Sequence, residues 1–406
     1  MQLSEVVNFQ NGFAFKSKDF KKNGNYKVIK IKEIKDGSVK FFSDTATVDL
    51  EDLKSYDKYI IKKGDILFAL TGDPVSKKNP LSWVGRVAIY NHDELALLNQ
   101  RVCKLIPNEK INPKYIYYYF REFDNFYKLA SIAKGSASQA NISTKDIGNT
   151  EINIPSIEIQ NKIVEFLDSI SNKISLNEKI NNNLLEQADS IFKSWFIDFK
   201  PFNNKFPTDW NNGTIEDLSE EIICGKTPST KKKEYYGNDI PFITIPDMHN
   251  STYIIKTERY LSILGADSQP KKTLPKNSIC VSCIGTAGLV SLVSIDSQTN
   301  QQINSIIPKK NISPYYIYLL MRGKYDEINK YGQGGSTIVN LNKREFSKLE
   351  VTIPSNDILL KFDKIVKPMF EVILNNQNEN EKLLNLRNYL IPNLINGIID
   401  VSQIDI

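Results

Sequence analysis

The feature that most constrains this 406-residue chain is an internal duplication at half its length. From Asn99 the sequence runs NQRVCKLIPNEKINPKYIYYYF, and from Asn300 it runs NQQINSIIPKKNISPYYIYLLM, with nine identities in 22 positions. The match resumes further on, where Ile154-Pro155-Ser156 corresponds to Ile353-Pro354-Ser355. A repeat of this length predicts two equivalent modules, each large enough to bury its own core.

The composition is that of an ordinary globular chain, with 41% hydrophobic and 24% charged residues. No stretch approaches the length of an apolar membrane span, and the first residues lack the pattern of a secretory signal. The four cysteines are too few and too scattered for a disulfide framework, which indicates a reducing compartment. We therefore expect a cytoplasmic protein that has no membrane partner.

The net charge of +5 is unevenly distributed along the chain. Residues 1–155 hold 24 Lys and Arg against 18 Asp and Glu, and residues 218–354 hold 17 against 12. The segments 156–197, 198–217 and 355–406 each carry a net −2. Positive charge confined to the two modules favours two separate contacts with a polyanion, although surface excesses of this size also occur in proteins that bind none.

Each module is followed by a long segment with the four-three spacing of a heptad seam. In the central segment the seam consists of Ile163, Leu167, Ile170, Ile174, Asn177, Asn181 and Leu184. In the C-terminal segment it consists of Phe362, Val366, Met369, Ile373, Asn376, Asn380 and Leu383. Such a seam predicts a helix that packs lengthwise on another helix. Pro368 predicts a kink in the second helix, and Pro392 predicts its last turn.

Both seams become polar at equivalent positions, Asn177 and Asn181 in one and Asn376 and Asn380 in the other. Buried Asn pairs reduce stability but specify register and orientation. We predict an antiparallel pair of helices with a module at each end; a parallel coiled coil between two copies of the chain is the alternative. About 38 helical residues span roughly 55–60 Å, which matches on the order of 15 base pairs of duplex DNA.

The modules themselves are predicted to be mixed α/β. Alternating or buried apolar runs predict strands at residues 26–32, 65–70, 239–245 and 278–284, and Pro113 and Pro314 each begin a predicted helix whose tyrosines are expected in the core. Between these landmarks the copies diverge, since residues 36–95 do not align with residues 250–297. A shared scaffold with different inserts predicts two different targets, and hence an asymmetric pair of half-sites.

Signals for catalysis or for bound metal are weak. Cys280 and Cys283 form a single pair, and the only histidines are His92 and His249, so a zinc site is not expected. Gly225-Lys226-Thr227 ends like a phosphate-binding loop, but Glu220 stands where the first glycine should be. Neither a carboxylate pair nor a nucleophile with a base is evident, so the chain is predicted not to be an enzyme.

In their order, the motifs resemble the DNA-specificity subunit of type I restriction–modification systems over essentially the whole chain. In the second module they are Trp210, Leu218-Ser219, Gly225-Lys-Thr-Pro-Ser-Thr230, Tyr235, Gly237, Ile240-Pro-Phe-Ile243 and Asp247-Met248. In the first module they are Leu3-Ser4, Gly12-Phe-Ala-Phe-Lys16 and Phe20. The first module lacks the Trp-bearing segment that precedes Leu218, so its opening strand is expected to be missing or supplied differently.

The resemblance implies an α+β protein in which two pseudo-symmetric α/β target-recognition domains are joined by two long helices that form an antiparallel coiled coil. It implies double-stranded DNA as ligand, methyltransferase subunits, two in number, and restriction subunits as partners. S-adenosylmethionine and ATP with magnesium are expected on those partners, and no cofactor is expected on this chain. The helical stalk would measure the distance between half-sites and would also dock the methyltransferase subunits.

The implied division of the chain assigns residues 1–155 and 218–354 to the recognition domains, 156–197 and 355–406 to the stalk helices, the latter with a tail, and 198–217 to a connector. Phosphate contacts are expected from Lys and Arg, and base contacts from polar loop residues. The DNA-binding candidates are Lys16, Lys18, Lys77, Lys78, Arg101, Ser136, Ser138 and Gln139 in the first module and Lys231, Lys232, Lys233, Lys271, Lys272, Ser336 and Thr337 in the second.

Two other functions remain open at this point. A stand-alone DNA methyltransferase or nuclease would show activity of the isolated chain with S-adenosylmethionine or a divalent metal. A coiled-coil adaptor that binds only proteins would show no steep loss of DNA affinity with rising salt, because no phosphates would be neutralised.

Overall fold

The computed structural model describes residues 1–50, 53–330 and 340–402. The chain forms two compact units, one made of Met1–Asn172 with Asn385–Ile406 and the other of Lys173–Leu384. Each unit contains one of the two repeats together with part of the long helices. Within the described ranges, no helix combines the length and the apolar composition that crossing a bilayer requires.

The first module is built from short strands and three short helices within its described residues. The strands are β1 (Val7–Asn11), β2 (Phe20–Lys21), β3 (Tyr26–Ile29), β4 (Ile34–Lys35), β5 (Ser38–Val39), β6 (Thr47–Val48), β7 (Ile60–Ile61), β8 (Ile66–Ala69), β9 (Thr71–Gly72), β10 (Val87–Ile89), β11 (Ala96–Leu98), β12 (Val102–Pro107), β13 (Lys134–Gly135) and β14 (Ala140–Asn141). The helices are α1 (Pro113–Tyr119), α2 (Phe123–Ser131) and α3 (Thr144–Gly148). The strand orders are β1-β12-β8-β10-β5-β4, β2-β6-β3-β11-β7 and β13-β14-β9.

The long helix α4 (Ile157–Phe196) leads to the second module. Its strands are β15 (Asn211–Thr214), β16 (Ser219–Cys224), β17 (Tyr236–Ile243), β18 (Tyr253–Ile254), β19 (Tyr260–Leu261), β20 (Ile279–Ser282), β21 (Val290–Val293), β22 (Gln298–Thr299), β23 (Ile303–Pro308) and β24 (Glu350–Ile353). Its helices are α5 (Ile215–Leu218), α6 (Ile245–Met248), α7 (Ile263–Asp267), α8 (Pro314–Gly323), α9 (Tyr325–Lys330) and α10 (Lys343–Ser347), and α11 (Asn356–Ile395) follows the module. The strand orders are β16-β23-β20-β21-β18, β19-β17-β22 and β15-β24.

The repeated Asn-Gln pair lies at the same close backbone crossing in both modules. A Cβ on Gly12 would lie 2.1 Å from the carbonyl oxygen of Asn99, and a Cβ on Gly225 would lie 2.1 Å from that of Asn300. The amide of Asn99 donates to Ile29 O at 3.2 Å, and that of Asn300 donates to Ile243 O at 3.1 Å. Glycine is therefore required at both crossings because any side chain would collide with backbone. This crossing explains why the duplication is clearest around Asn99 and Asn300.

All four predicted strands end earlier than their apolar patterns indicate, and for two of them the structure shows the cause. The carboxylate of Asp247 accepts from both the amide and the hydroxyl of Thr244 at 2.7 Å, which starts α6 directly after β17. In the first module the buried Glu33 accepts from the amide of Lys30 at 3.0 Å and turns the chain after β3. A capping carboxylate competes with strand continuation because it satisfies the amides that a ladder would otherwise use.

The helices that begin at Pro113 and Pro314 are confirmed as α1 and α8. Both start with a capping side chain, since Asn112 accepts from the amide of Lys114 and Ser313 accepts from that of Tyr316. Their tyrosines are mostly buried, with Tyr115, Tyr118, Tyr315, Tyr316 and Tyr318 each at most 5% exposed. These rings are part of the hydrophobic core of each module and are not available to stack on nucleic-acid bases.

The first module begins with a much shorter version of the opening strand of the second. In the second module, β15 pairs antiparallel with β24 over four residues. In the first, Gln2 forms one antiparallel bridge with Glu151, and the amide of Ile152 donates to Met1 O at 2.9 Å. This bridge is the counterpart, at one position, of the pairing between β15 and β24.

Both predicted long helices are present, and each has 40 residues. Helix α11 is assigned without interruption through Pro368, so the missing amide donor does not end it there. Pro392 lies in its last turn, as predicted. After the helix, Val401 is buried, and Lys162 of α4 donates to Ser402 O at 2.9 Å, which holds the C-terminal residues on the first unit.

Candidate nucleic-acid interface

One group of candidates comes together on the first module at a hairpin formed by β13 and β14. The hydroxyls of Ser136 and Ser138 lie 2.9 Å apart, and the amide of Ser136 donates to Gln139 O at 2.9 Å. Lys77 donates to Ser138 O at 3.4 Å, although its ammonium also pairs with Asp73 at 2.8 Å. The three hairpin side chains are exposed. Their hydroxyl and amide groups can both donate and accept, as reading of base edges requires.

The remaining candidates of the first module are exposed but are not seen to join that group. Lys16 precedes the short 3-10 turn Ser17–Asp19 and Lys18 lies within it, and Asp19 accepts from the amide of Lys16 at 2.8 Å. Lys78 and Arg101 are also exposed. Lysine and arginine side chains in such positions can contact phosphates without reading sequence. Their role in DNA binding stays a prediction.

The candidates of the second module fall into two places. Lys231, Lys232 and Lys233 are exposed on one turn. The hydrogen bond from Lys232 to the Tyr235 hydroxyl, at 2.9 Å, raises the pKa of this lysine and keeps it charged. Lys271 is exposed, whereas Lys272 donates to Cys224 O at 2.8 Å and is committed to holding backbone.

Ser336 and Thr337 lie outside the described residues, and their role stays a prediction. Asn340, three residues after Thr337, is described and forms an antiparallel bridge with Ile284. This bridge corresponds to the pairing of β9 with β14 in the first module.

The structure adds polar residues that the sequence reading did not select. The Thr227 hydroxyl donates to Gln301 Oε1 at 2.7 Å, next to exposed Lys226. Beneath them, Gln269 donates to Lys226 O at 2.8 Å and thereby supports the loop from the buried side. The repeated Asn-Gln pair was the available signal, because Gln301 is its second residue.

The predicted seam residues of both long helices lie largely in the interior. Ile163, Leu167, Ile170, Ile174, Asn177, Phe362, Val366 and Ile373 are buried, and Asn181, Leu184, Met369, Asn376, Asn380 and Leu383 are half-buried. Phe192, Phe196 and Phe370 are buried as well, although the a/d pattern does not include them. The stripe is wider than a strict seam because these helices pack on the modules as well as on each other.

The polar positions of the second unit establish how its two helical segments run. Asn177 donates to Asn380 Oδ1 at 2.8 Å, and Asn376 donates to Asn181 Oδ1 at 2.8 Å. The partner's number falls as the first number rises, so the segments are antiparallel. A second donor bond from Asn177 reaches Glu379, which also pairs with Lys173 at 3.2 Å. These bonds lower the pKa of the Glu379 carboxyl and keep it ionised.

Each module is fastened to helical residues of its own unit. In the first, Tyr118 donates to Asp168 Oδ1 at 2.7 Å, and Lys114 forms an ion pair with the same carboxylate. In the second, Arg322 pairs with Asp189 at 3.0 Å and Lys256 pairs with Glu381 at 2.8 Å.

Among the described residues, no group of three or more His, Cys, Asp or Glu side chains is placed to hold a metal ion. Burial raises the pKa of the Cys280 and Cys283 thiols to about 12, so both remain protonated near neutral pH. A protonated, buried thiol is neither a good nucleophile nor a ready metal ligand. The groups that this surface offers are hydrogen-bonding side chains and positive charges.

Known proteins with the same organisation are specificity subunits. The model of the family "Type I restriction modification DNA specificity domain" matches residues 1–186 and again residues 207–387. The HindI specificity subunit of Haemophilus influenzae is 33% identical over an alignment of 423 positions, and the alignment covers 86% of this chain and 89% of that protein. The MjaIX specificity subunit of Methanocaldococcus jannaschii is 28% identical over 365 residues, covering 85% and 80%.

The fold has a counterpart among solved structures. The crystal structure of a type I restriction–modification S subunit from M. genitalium superposes with a TM-score of 0.59 at 15% sequence identity, over 97% of this chain and 95% of that one. With its duplicated module, its paired helices and the family match over both copies, the chain belongs to the type I restriction–modification DNA-specificity family and carries that family's domain twice.

Proposed function

We propose that this specificity subunit reads a bipartite, asymmetric site in double-stranded DNA, with one half-site for each module. The observation that carries the proposal is a shared scaffold with unshared surfaces. The glycine–carbonyl crossings at Gly12 and Gly225 are the same in both modules, whereas the segments 36–95 and 250–297 differ in length and sequence. Two identical modules would favour a palindromic DNA site, whereas two different modules favour two half-sites of unrelated sequence.

The stalk is proposed to set the number of unread base pairs between the half-sites. Two features support this: both long helices have 40 residues, and polar Asn pairs specify the register between them. Register matters for a measuring device because a slip by one heptad would change the distance by about 10 Å. The apolar side chains that the stalk exposes, among them Leu176 and Val372, offer a surface for protein partners.

Members of this family are non-catalytic and assemble with methyltransferase and restriction subunits, and they bind DNA. For this chain we propose two methyltransferase subunits, one for each repeat, because the duplication supplies each docking element twice. S-adenosylmethionine would then be bound by those subunits, and ATP with magnesium by the restriction subunits. A complex that acts on chromosomal DNA would work in the cytoplasm.

The proposal is tested by mapping methylated bases in the host genome and by footprinting the assembled complex. The expected result is two short protected elements separated by a spacer of constant length and indifferent sequence. The two elements should not be inverted copies of each other. A single continuous or palindromic site would contradict the proposal, and so would a binding constant that does not fall steeply with salt.

A further inference from the structure

The two modules differ most sharply at one equivalent connection between strands. In the first module, residues 70–86 connect β8 to β10, and in the second, residues 283–289 connect β20 to β21. The strands themselves pair alike, since β8 runs antiparallel to β10 and β20 runs antiparallel to β21. The first module therefore carries ten more residues at this point.

Shared landmarks locate the extra residues within the connection. Thr71 pairs with Asn141 in the first module, and Ile284 bridges Asn340 in the second. At the other end, Gly85 and Gly288 both have positive φ, of 80° and 86°, and each donates at 2.9 Å to the end of the preceding strand. Gly72 and Gly285 directly follow the paired residues in the two modules. From there to the second glycine the first module has residues 73–84, which we name the insert, whereas the second has only residues 286–287.

The insert is a closed loop whose backbone is fixed by hydrogen bonds. Its ends meet where the amide of Asp73 donates to Ser82 O at 2.8 Å and the amide of Val84 donates to Asp73 O at 3.0 Å. Buried Trp83 donates through Nε1 to Lys77 O at 2.5 Å, and Arg86 donates through Nη1 to Leu81 O at 2.5 Å. A compact loop whose backbone is fixed by internal bonds presents its outer side chains in one arrangement.

The insert exposes both a basic and an apolar side chain. Leu81 is 64% exposed although the backbone on both sides of it is anchored. Lys77 is neutralised by Asp73, but Lys78 is exposed and pairs with no acidic side chain among the described residues. Beside the loop lies a groove of about 410 Å³ lined by Asp73, Ser82, Ser138 and Gln139.

We infer that the insert, together with the Ser138–Gln139 hairpin, is the element that determines the half-site sequence of the first module. Leu81 would contact a base edge through apolar groups, such as a thymine methyl, and Gln139, which lines the groove, would hydrogen-bond another base of the same half-site. Lys78 would hold a phosphate and carry no sequence information. This inference rests on the proposed bipartite reading and assigns one half of it to named residues.

Charge favours DNA over a protein as the partner of the insert. The exposed residues that precede Leu81 along the insert are Ser76, Lys77, Lys78 and Asn79, which together carry positive charge and hydrogen-bonding groups. The cores of protein–protein interfaces are depleted in lysine, whereas phosphate contacts use it. Leu81 also borders a cavity with apolar residues, among them Val87 and Phe120, which a protein could occupy. A protein partner on Leu81 is therefore an outcome that the test must separate.

The test compares Leu81→Ala, Gln139→Ala and Lys78→Ala in the full chain assembled with its methyltransferase subunits. Binding is measured on duplexes that carry single substitutions at every position of both half-sites. We expect Leu81→Ala and Gln139→Ala each to lower discrimination about tenfold at one or two positions, all in the same half-site. Lys78→Ala should weaken binding evenly across sequences and reduce the salt slope by about 1. Leu95→Ala, at an exposed leucine outside the insert, is the matched control.

The outcomes separate this inference from the proposed function. If the wild-type complex reads a bipartite site and Leu81→Ala and Gln139→Ala leave discrimination unchanged, the inference is wrong while the proposed function stands. If Leu81→Ala weakens assembly with a methyltransferase subunit and not the discrimination between bases, the insert is a protein contact and the inference is also wrong. If the wild-type complex reads no bipartite site, the proposed function fails first.

Discussion

Asn177 and Asn380 are joined side chain to side chain, with Nδ2 of Asn177 donating to Oδ1 of Asn380 at 2.8 Å. The equivalent bond, from Asn376 to Asn181, has the same length. Each repeat therefore contributes one donor and one acceptor to a polar layer in the paired helices. Asn177 Oδ1 is buried and has no partner among the described residues. The layer favours one register, and its polar groups are only partly satisfied.

The first prediction concerns this layer. Replacing one member, as in Asn177→Ala, should lower the free energy of unfolding by about 1–3 kcal/mol, because half-buried Asn380 and Glu379 both lose a donor. The double change Asn177→Leu with Asn380→Leu should restore stability, since it removes the donor and the acceptor together, and Glu379 keeps its ion pair with Lys173. Denaturant midpoints of the three proteins check this. A double variant as unstable as the single one would show that the Asn pair contributes net stability.

The second prediction concerns Gln377, whose side chain forms hydrogen bonds with both the backbone amide and the backbone carbonyl of Tyr253. Its Oε1 accepts from the amide of Tyr253 at 3.0 Å, and its Nε2 donates to the carbonyl of the same residue at 3.2 Å. Tyr253 lies in β18, at the edge of its sheet, so the side chain acts as a substitute for a neighbouring strand.

Gln377→Ala should therefore speed hydrogen exchange of the Tyr253 amide about tenfold or more, because a part-buried donor loses its acceptor. Gln187→Ala is the matched control, since within the described part of the chain the Gln187 side chain bonds only to Asn183 on its own helix. Unchanged exchange at Tyr253 in the Gln377 variant would show that the rest of the sheet holds this edge without help.

The third prediction concerns the glycine–carbonyl crossings. Gly225→Ala should destabilise the second unit by at least about 1–3 kcal/mol, because the new methyl group would overlap the Asn300 carbonyl. Gly12→Ala should have the same effect on the first unit. Gly323→Ala is the control, because a Cβ there meets no atom within 4 Å. Thermal unfolding of the three variants is the measurement, and equal transition temperatures would contradict the role given to the crossings.

The fourth prediction concerns the stalk. One heptad inserted after Asn181 and one before Asn376 should lengthen the tolerated DNA spacer by about three base pairs, from roughly 10 Å of added helix. The two insertions are at the same level because Asn181 and Asn376 are bonded to each other. A heptad added to one helix alone should impair folding, since it displaces one seam against the other. An unchanged spacer in the double insertion would show that the stalk does not set the distance.

Periodicity and duplication predicted much of this fold. The a/d spacing identified α4 and α11, and it identified Asn177 and Asn376 as equivalent polar positions. The repeats at Asn99 and Asn300 identified the two modules before any contact was known. These features are local or repetitive, so they can be read from residue spacing alone. The strand ends at Ile29 and Ile243 were placed too late, because the capping carboxylates act across only three residues and interrupt an otherwise apolar run.

The hydrogen-bond partners of individual side chains and the arrangement of the surface loops depend on distant parts of the chain. Sequence spacing shows that Asn177 and Asn376 are equivalent and favours an antiparallel pair, but it does not show that Asn177 bonds Asn380, because that requires the axial register between the two helices. The Gln377–Tyr253 bonds and the closed loop at residues 73–84 likewise join groups that no period relates. A heptad fixes which side of a helix is buried, whereas hydrogen bonds form only between groups that folding brings within about 3 Å. The repeated scaffold could therefore be predicted from the sequence, whereas the arrangement of the candidate DNA-binding surface could be seen only in the folded chain.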